Sequence, residues 1–261
     1  MITYEDKEFG FTTQNVWFSD SFFDIEGYDR VIFNGIRQPL EIKGVERIDY
    51  ATIIIDLKDG IDSVWANMSS KCRKAIRKSE SCNFDIKINK DYEQFFAFYS
   101  SFAATKGVKP LVKSIDFMKK NGILFCAKKE GELIGGIFYL ADESQMRGFV
   151  SCSKSVSYGE DDVSLATNVY KTPGTIEANR LLWWEAIKYA KAKEIDCLDM
   201  GGYYVGTNPN KELKDISEFK RRFGGDIIKE YAYVKDYSLK IKIAKIGSRG
   251  FNQIRSIEFN Q

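Results

Sequence analysis

The residues best suited to chemistry lie close together late in the chain. Residues 199–206 read DMGGYYVG and residues 217–225 read SEFKRRFGG. The first stretch reads as the end of a strand opening into a glycine loop, the second as a short helix stopped by Gly-Gly. Asp199 stands at the C-terminal edge of an apolar strand, where sites gather. It is either a base for an amine or a cap for the turn that follows. Gly201 and Gly202 permit positive φ or close backbone approach. Tyr203 and Tyr204 either line a cleft, where their rings would stack on a sugar or base, or join the core. Lys220, preceded by Phe219, is either part of a solvated basic face or a cation held near a reacting group.

The chain contains no histidine. Imidazole-based triads and histidine-ligated metals are therefore excluded. Carboxylate, lysine, tyrosine or cysteine chemistry remains, as does catalysis by positioning and electrostatics. Amide formation from an activated ester fits that set. A deprotonated amine is itself the nucleophile, so the protein must hold two substrates together, stabilise an oxyanion and let one proton leave.

Other candidates are scattered along the chain. Arg73 and Arg77 share a helix face at i and i+4 and form either a solvated face or a bidentate grip on phosphates. Asn179 lies near a helix start, where free N–H groups await a partner. On the same helix Glu185 reads as solvated, and Trp183 and Trp184 read as core.

With 261 residues, of which 44% are hydrophobic and 29% charged, the chain can build a sizeable core. A net charge of +2 gives no overall push toward nucleic acid. The five cysteines form no CxxC pair, read as small buried hydrophobes and suit a reducing compartment; no metal site is expected. The N-terminus, MITYEDKEFGF, lacks a basic region followed by an apolar run, so no signal peptide is expected. No apolar run is long enough to span a bilayer. The expected location is cytoplasmic, with peripheral contact at the inner face of the membrane left open.

These residues need elements to hold them. VWFSD and RVIFNGI read as short strands in an otherwise irregular first fifty residues, and ATIIIDL (51–57) as a firm strand. Asp62 is expected to cap one continuous helix through SVWANMSSKCRKAIRKSES. NFDIKI (83–88) reads as a strand, and DYEQFFAFYSSFAATKG as a helix capped by Asp91 and stopped by Gly107. A shorter helix, SIDFMKKNG, precedes three successive strands, ILFCAKKEG, ELIGGIFYLAD and QMRGFVSCSK, with a tight turn at Glu130-Gly131. After a polar stretch comes the strongest helix, TIEANRLLWWEAIKYAKAKEI, then the strand leading to Asp199, the FKRRF helix and a last strand, IIKEYAYV. The tail from Tyr237 reads as a basic amphipathic helix, docked on the protein or lying on an anionic surface.

Three stretches together resemble the Fem family, the aminoacyltransferase-like branch of the GNAT superfamily that builds peptidoglycan cross-bridges. They are TIIIDL with WANM and KCRKAIRKSE; ANRLLWWEAIKYAKAKEIDCLDMGG; and EFKRRFGG, spanning about residues 50–235. The resemblance implies an α/β (α+β) GNAT-like fold with a mixed, mostly antiparallel central sheet flanked by helices. Residues 1–80 would form a truncated N-terminal GNAT-like half and residues 81–261 a complete acyltransferase unit with a basic tail. It also implies an N-acyl or aminoacyl transfer from an activated ester to an amine of a cell-envelope precursor, nucleotide sugar or small metabolite, with Phe219-Lys220 at the active site. No cofactor would be permanently bound; aminoacyl-tRNA or acyl-CoA would serve as co-substrate, and the acceptor could be nucleotide- or lipid-linked. The glycine-rich loop of the acetyl-CoA enzymes is absent, since NVYKTPGTIEANRLL carries one glycine. Two alternatives stand beside this: an acetyl-CoA-dependent N-acetyltransferase, and a non-catalytic RNA- or membrane-binding module of the same fold.

Overall fold

The computed structural model describes residues 1–154, 175–206 and 211–241, without the side chains of residues 175–177. The tail helix expected beyond Tyr237 lies almost wholly outside the described residues. The chain forms two compact units. Unit 1 draws its described residues from Met1–Ile53, Gly202–Asn208 and Ile227–Gln261, and unit 2 from Ile54–Gly201 and Pro209–Asp226. The expected cut between residues 80 and 81 falls inside unit 2.

Unit 1 is built on strands. β1 (Ile2–Glu8) and β2 (Phe11–Trp17) form an antiparallel hairpin, β2 runs parallel to β3 (Arg30–Ile36), and β3 pairs antiparallel with β10 (Asp226–Asp236). The stretch expected to be mostly irregular is thus largely sheet. Its strands alternate small polar and charged residues with few apolar ones, so the two-residue period was faint there. The core under these strands is Val16, Val31, Phe33, Ile36, Tyr231 and Tyr233. Arg30 Nε donates to Asp236 Oδ1 at 2.6 Å and fixes the end of β10.

Unit 2 follows the expected order from β5 (Asp85–Ile88) through α3 (Tyr92–Lys106), α4 (Ile115–Asn121), β6 (Gly122–Lys129), β7 (Glu132–Ala141), β8 (Gln145–Ser153), α5 (Thr175–Ala192), β9 (Cys197–Tyr203) and α6 (Lys211–Arg221). Strands β5 to β8 pair antiparallel in sequence, and β8 and β9 pair parallel. Glu130 and Gly131 both take positive φ, the turn that a twisted hairpin favours. Gly107 closes α3 in the left-handed conformation. Asp91 precedes α3 but makes no side-chain cap; it is itself left-handed, and Lys128 Nζ donates to its Oδ1 at 3.4 Å.

The expected single helix from Asp62 is two helices, α1 (Ile61–Asn67) and α2 (Ser70–Glu80), preceded by β4 (Glu46–Asp56). Met68 is extended, and the Ser69 hydroxyl accepts from Cys72 N at 3.2 Å to cap α2. Asp62 sits in the first turn of α1 without capping it. The apolar period survives the break because Met68, Cys72 and Ile76 all still face inward. Cys72, Cys126 and Cys152 are buried, while Cys82 and Cys197 are half-buried. Among the described residues no helix is long and apolar enough to cross a membrane.

Candidate active site

Strand β9 reaches Asp199 as a buried run, and Asp199 itself is buried. A buried carboxylate needs compensation. Arg147 of β8 supplies it, its Nη1 donating to Asp199 Oδ2, and the backbone N–H of Gly201 donates to Oδ1 at 2.6 Å. Arg147 and Asp199 are register partners, the last pair in the parallel ladder that starts at Gln145↔Cys197. Beyond them β8 and β9 no longer pair among the described residues.

The strand does not end at Asp199 with a glycine loop, as expected, but runs on to Tyr203; Gly201 lies inside it at φ +77°, and a Cβ there would lie 2.9 Å from the Gly148 carbonyl oxygen and 3.6 Å from Lys220 Nζ. The glycine is therefore required by both conformation and proximity. Gly202 has no positive φ.

Lys220 comes to the same place from α6, and it is no solvated face: only 9% of the residue is exposed. Burial pulls its ammonium down to about 8; Asp199 opposes that shift and Arg147 adds to it. The preceding Phe219 is buried too, its ring 5.5 Å from Phe223 and under the Arg180 guanidinium at 5.4 Å. Helix α6 is longer than the short FKRRF helix expected, and its length fits a large amphipathic contrast between buried Ser217, Phe219 and Lys220 and the exposed charges around them.

The three sequence stretches fall mainly in unit 2 and meet there. Trp65 of α1 packs on Trp184 of α5 at 4.9 Å between ring centroids, and Trp183 faces Phe223 at 6.5 Å. The turn after α6 fits into the break between α1 and α2. Ser69 N–H donates to the Arg222 carbonyl at 3.0 Å, and a Cβ on Gly224 would lie 2.3 Å from Asn67 O. Arg73 Nη1 donates to the carbonyls of Trp65 (3.3 Å), Ala66 (2.9 Å) and Met68, closing the end of α1. That donor therefore serves the fold, whereas Arg77 is exposed with its guanidinium 5.5 Å above the Trp65 ring.

Asn179 is buried on α5 and accepts from the Ser151 hydroxyl at 3.4 Å. Glu185 is half-buried and accepts from Lys188 Nζ at 2.7 Å. Tyr203 and Tyr204 are half-buried and fall in unit 1 together with Gly202, while Asp199, Gly201, Phe219 and Lys220 fall in unit 2. Tyr204 lies against Gly206, where a Cβ would come within 2.5 Å of its hydroxyl. Arg147 was not expected; a lone arginine inside the apolar QMRGFVSC strand is the signal that would have found it. Among the described residues no cluster of three or more acids or cysteines could hold a metal ion.

This arrangement sets two buried cations, one carboxylate and a left-handed glycine inside β9 at the place where a parallel ladder ends. Such a point can receive a ligand and offer a cation to developing negative charge.

No family model matches the chain, and no curated protein does. Among solved structures it is similar to FemX, at 10% identity and a TM-score of 0.62, over 94% of this chain and 85% of that one. It is also similar to L-PGS from Bacillus licheniformis, at 13% identity and a TM-score of 0.52, over 85% and 72% of the two chains. A third is the C-terminal domain of a protein assigned as a lysylphosphatidylglycerol synthetase from Agrobacterium fabrum, at 11% identity and a TM-score of 0.53, over 84% and 74%. Identities this low speak to fold alone: the chain shares the fold of FemX and of the two lysylphosphatidylglycerol-synthetase-type structures.

Proposed function

We propose that the chain is an N-acyl- or aminoacyltransferase. It takes an acyl or aminoacyl group from an activated ester, aminoacyl-tRNA or an acyl thioester, and passes it to an amine of a cell-envelope precursor, nucleotide sugar or small metabolite. The observation that carries this reading is the Lys220 ammonium, buried beside Asp199 and Gly201 where the β8–β9 ladder stops. By its name, the lysylphosphatidylglycerol synthetase neighbour joins an amino acid to a lipid, which favours the aminoacyl donor and a lipid-linked acceptor.

In this reading the amine nitrogen attacks the ester carbonyl carbon, the C–N bond forms, and the carbonyl electron pair moves to oxygen. The Lys220 ammonium donates a hydrogen bond to that oxyanion, a contact made fully only in the transition state. Collapse breaks the C–O or C–S bond, and the alcohol or thiol leaves with the proton the nitrogen gives up. Asp199 has both carboxylate oxygens engaged, so it orients Arg147 and the Gly201 backbone rather than taking the proton.

A donor screen tests the reading. Charged tRNA and acyl-CoA are offered with a panel of amines, and amide product is measured for the wild type and for Lys220→Ala. The variant is expected to keep its fold and lose turnover by ~2.7–4 kcal/mol of barrier. A folded Lys220→Ala protein with full turnover would falsify the role of this lysine.

A further inference from the structure

Asp199 binds three parts of unit 2 to one another. One oxygen accepts from Arg147 on the neighbouring strand, and the other accepts from the N–H of Gly201 two residues on in β9. The side chains of Arg147 and Asp199 are 7% and 3% exposed, so the pair is shielded from water. Directly after Arg147, Gly148 is pressed against α5: a Cβ there would come within 2.5 Å of the Trp183 ring. The Gly148 carbonyl in turn faces Gly201, and Gly201 faces Lys220 Nζ. The end of the ladder is thus fixed from both strands. A buried ion pair is a weak source of stability, since an apolar pair of similar volume does as well or better. What the pair supplies is direction: a rigid, planar guanidinium donating to one oxygen of a buried carboxylate ties the two strands at one register position.

We propose that Arg147 is a positioning residue for the transfer step. By pairing with Asp199 at the last register position of β8 and β9, it sets where the ladder opens and where the Lys220 ammonium stands. This rests on the acyltransferase reading, and Arg147 acts through Asp199, Gly201 and Lys220 rather than on substrate. The charged groups acting on Lys220 are Asp199 from β9 and Arg147 from β8, and Arg180 of α5 lies over the ring of the adjacent Phe219.

Two variants of the full chain test it. Arg147→Gln keeps a donor to Asp199 and removes the charge; Arg147→Lys keeps the charge and removes the rigid, planar guanidinium. The first readout needs no substrate: the Lys220 side chain is titrated by NMR. The wild-type inflection is expected near about 8. In Arg147→Gln it should move up toward the ordinary lysine value, because the repelling cation is gone and Asp199 is left facing Lys220. In Arg147→Lys it should stay. The second readout is steady-state transfer with charged tRNA and with acyl-CoA. Arg147→Lys should lose kcat by ~10²-fold at unchanged KM, the scale of a small misplacement of reacting groups.

An unchanged inflection in folded Arg147→Gln overturns the proposal, and so does wild-type kcat in Arg147→Lys. If Arg147→Gln does not fold, Arg147→Lys decides alone. A lysine variant that also fails to fold assigns Arg147 to stability and overturns the proposal too. Failure of the acyltransferase reading looks different. Neither donor would then yield product with the wild type, and the titration would still decide whether Arg147 governs Lys220.

Discussion

A lysine that titrates near about 8 is a cost the fold carries. In the unfolded chain the same group holds its proton to about pH 10.5, its ordinary value. Between those values the unfolded state binds more protons, so this group's contribution to stability rises with pH across that window. Below it, the full penalty of a buried ammonium applies, about 3 kcal/mol. Lys220→Met removes the penalty while leaving Arg147 to compensate Asp199. That variant is expected to melt at or above the wild-type temperature at pH 7, with turnover still reduced. Thermal melts from pH 7 to 10 check the sign, since the stability gap between Lys220→Met and wild type should narrow as pH rises. Turnover of the wild type should decline as pH passes about 8, where the ammonium is lost. An alkaline rise present in the wild type and lost in Lys220→Met would instead make Lys220 a base, since the substrate amine's own deprotonation is common to both. Lys220 was legible because of its place in EFKRRFGG, but its burial was not, as a run of three cations reads as solvated. Arg147 was missed because nothing local marks which charge a buried arginine will meet; its partner lies 52 residues away.

At the level of elements, the junction of α1, α2 and the turn after α6 holds the aromatic wall behind the site. Gly224 lies at φ +87°, and a Cβ there would run into the backbone of Asn67 and Met68. Gly224→Ala is therefore expected to cost more than the ~1–2 kcal/mol of a left-handed alanine. Denaturant unfolding measures it, and a neutral result would mean the turn can withdraw from the break. Arg73 and Arg77 should separate in the same experiment. Arg73→Ala gives up charge-assisted bonds to helix-end carbonyls, worth about 1.5–3 kcal/mol. Arg77→Ala gives up an exposed cation–π contact of about 0.5–1 kcal/mol and leaves the fold intact. Any phosphate role of the pair then rests on Arg77, seen as a KM that rises with salt in the wild type and less steeply in Arg77→Ala. Order and type of the elements from β5 onward were legible, because each carries a clear period and a stop. The break between α1 and α2 was hidden by a period that continues across it, although a serine pair in MSSK is a helix-start signal.

For the molecule as a whole, neither compact unit is a continuous segment. Unit 1 needs β10, and unit 2 needs the end of β4 with α1 and α2. The fragment 81–261 lacks Ile55, Leu57, Val64, Met68, Cys72 and Ile76, all buried in the intact chain. It is expected not to fold alone, with poor amide dispersion and no cooperative melt; a cooperative, well-dispersed fragment would show that residues 1–80 are dispensable. The division into a truncated half and a complete unit was drawn from resemblance to a repeated architecture, and chain order alone cannot show that later strands return to pair with earlier ones. Tyr231 against Ile36 and Asp236 against Arg30 are such returns, each across about two hundred residues.

The burial of three cysteines has a practical consequence. Burial pushes the thiol of Cys72 up to about 11 and that of Cys126 up to about 12, and it raises Cys152 as well. At neutral pH all three are protonated and walled off, so maleimides and nitroxide reagents should pass them by in the native chain. Cys82, just past the end of α2, and Cys197, at the start of β9, are half-buried and are the two that such reagents should reach. The unaltered protein thus carries a ready pair of attachment points for spin labels or fluorophores, without any cysteine having to be removed. Mass spectrometry of the labelled native chain should show two adducts, against five after denaturation.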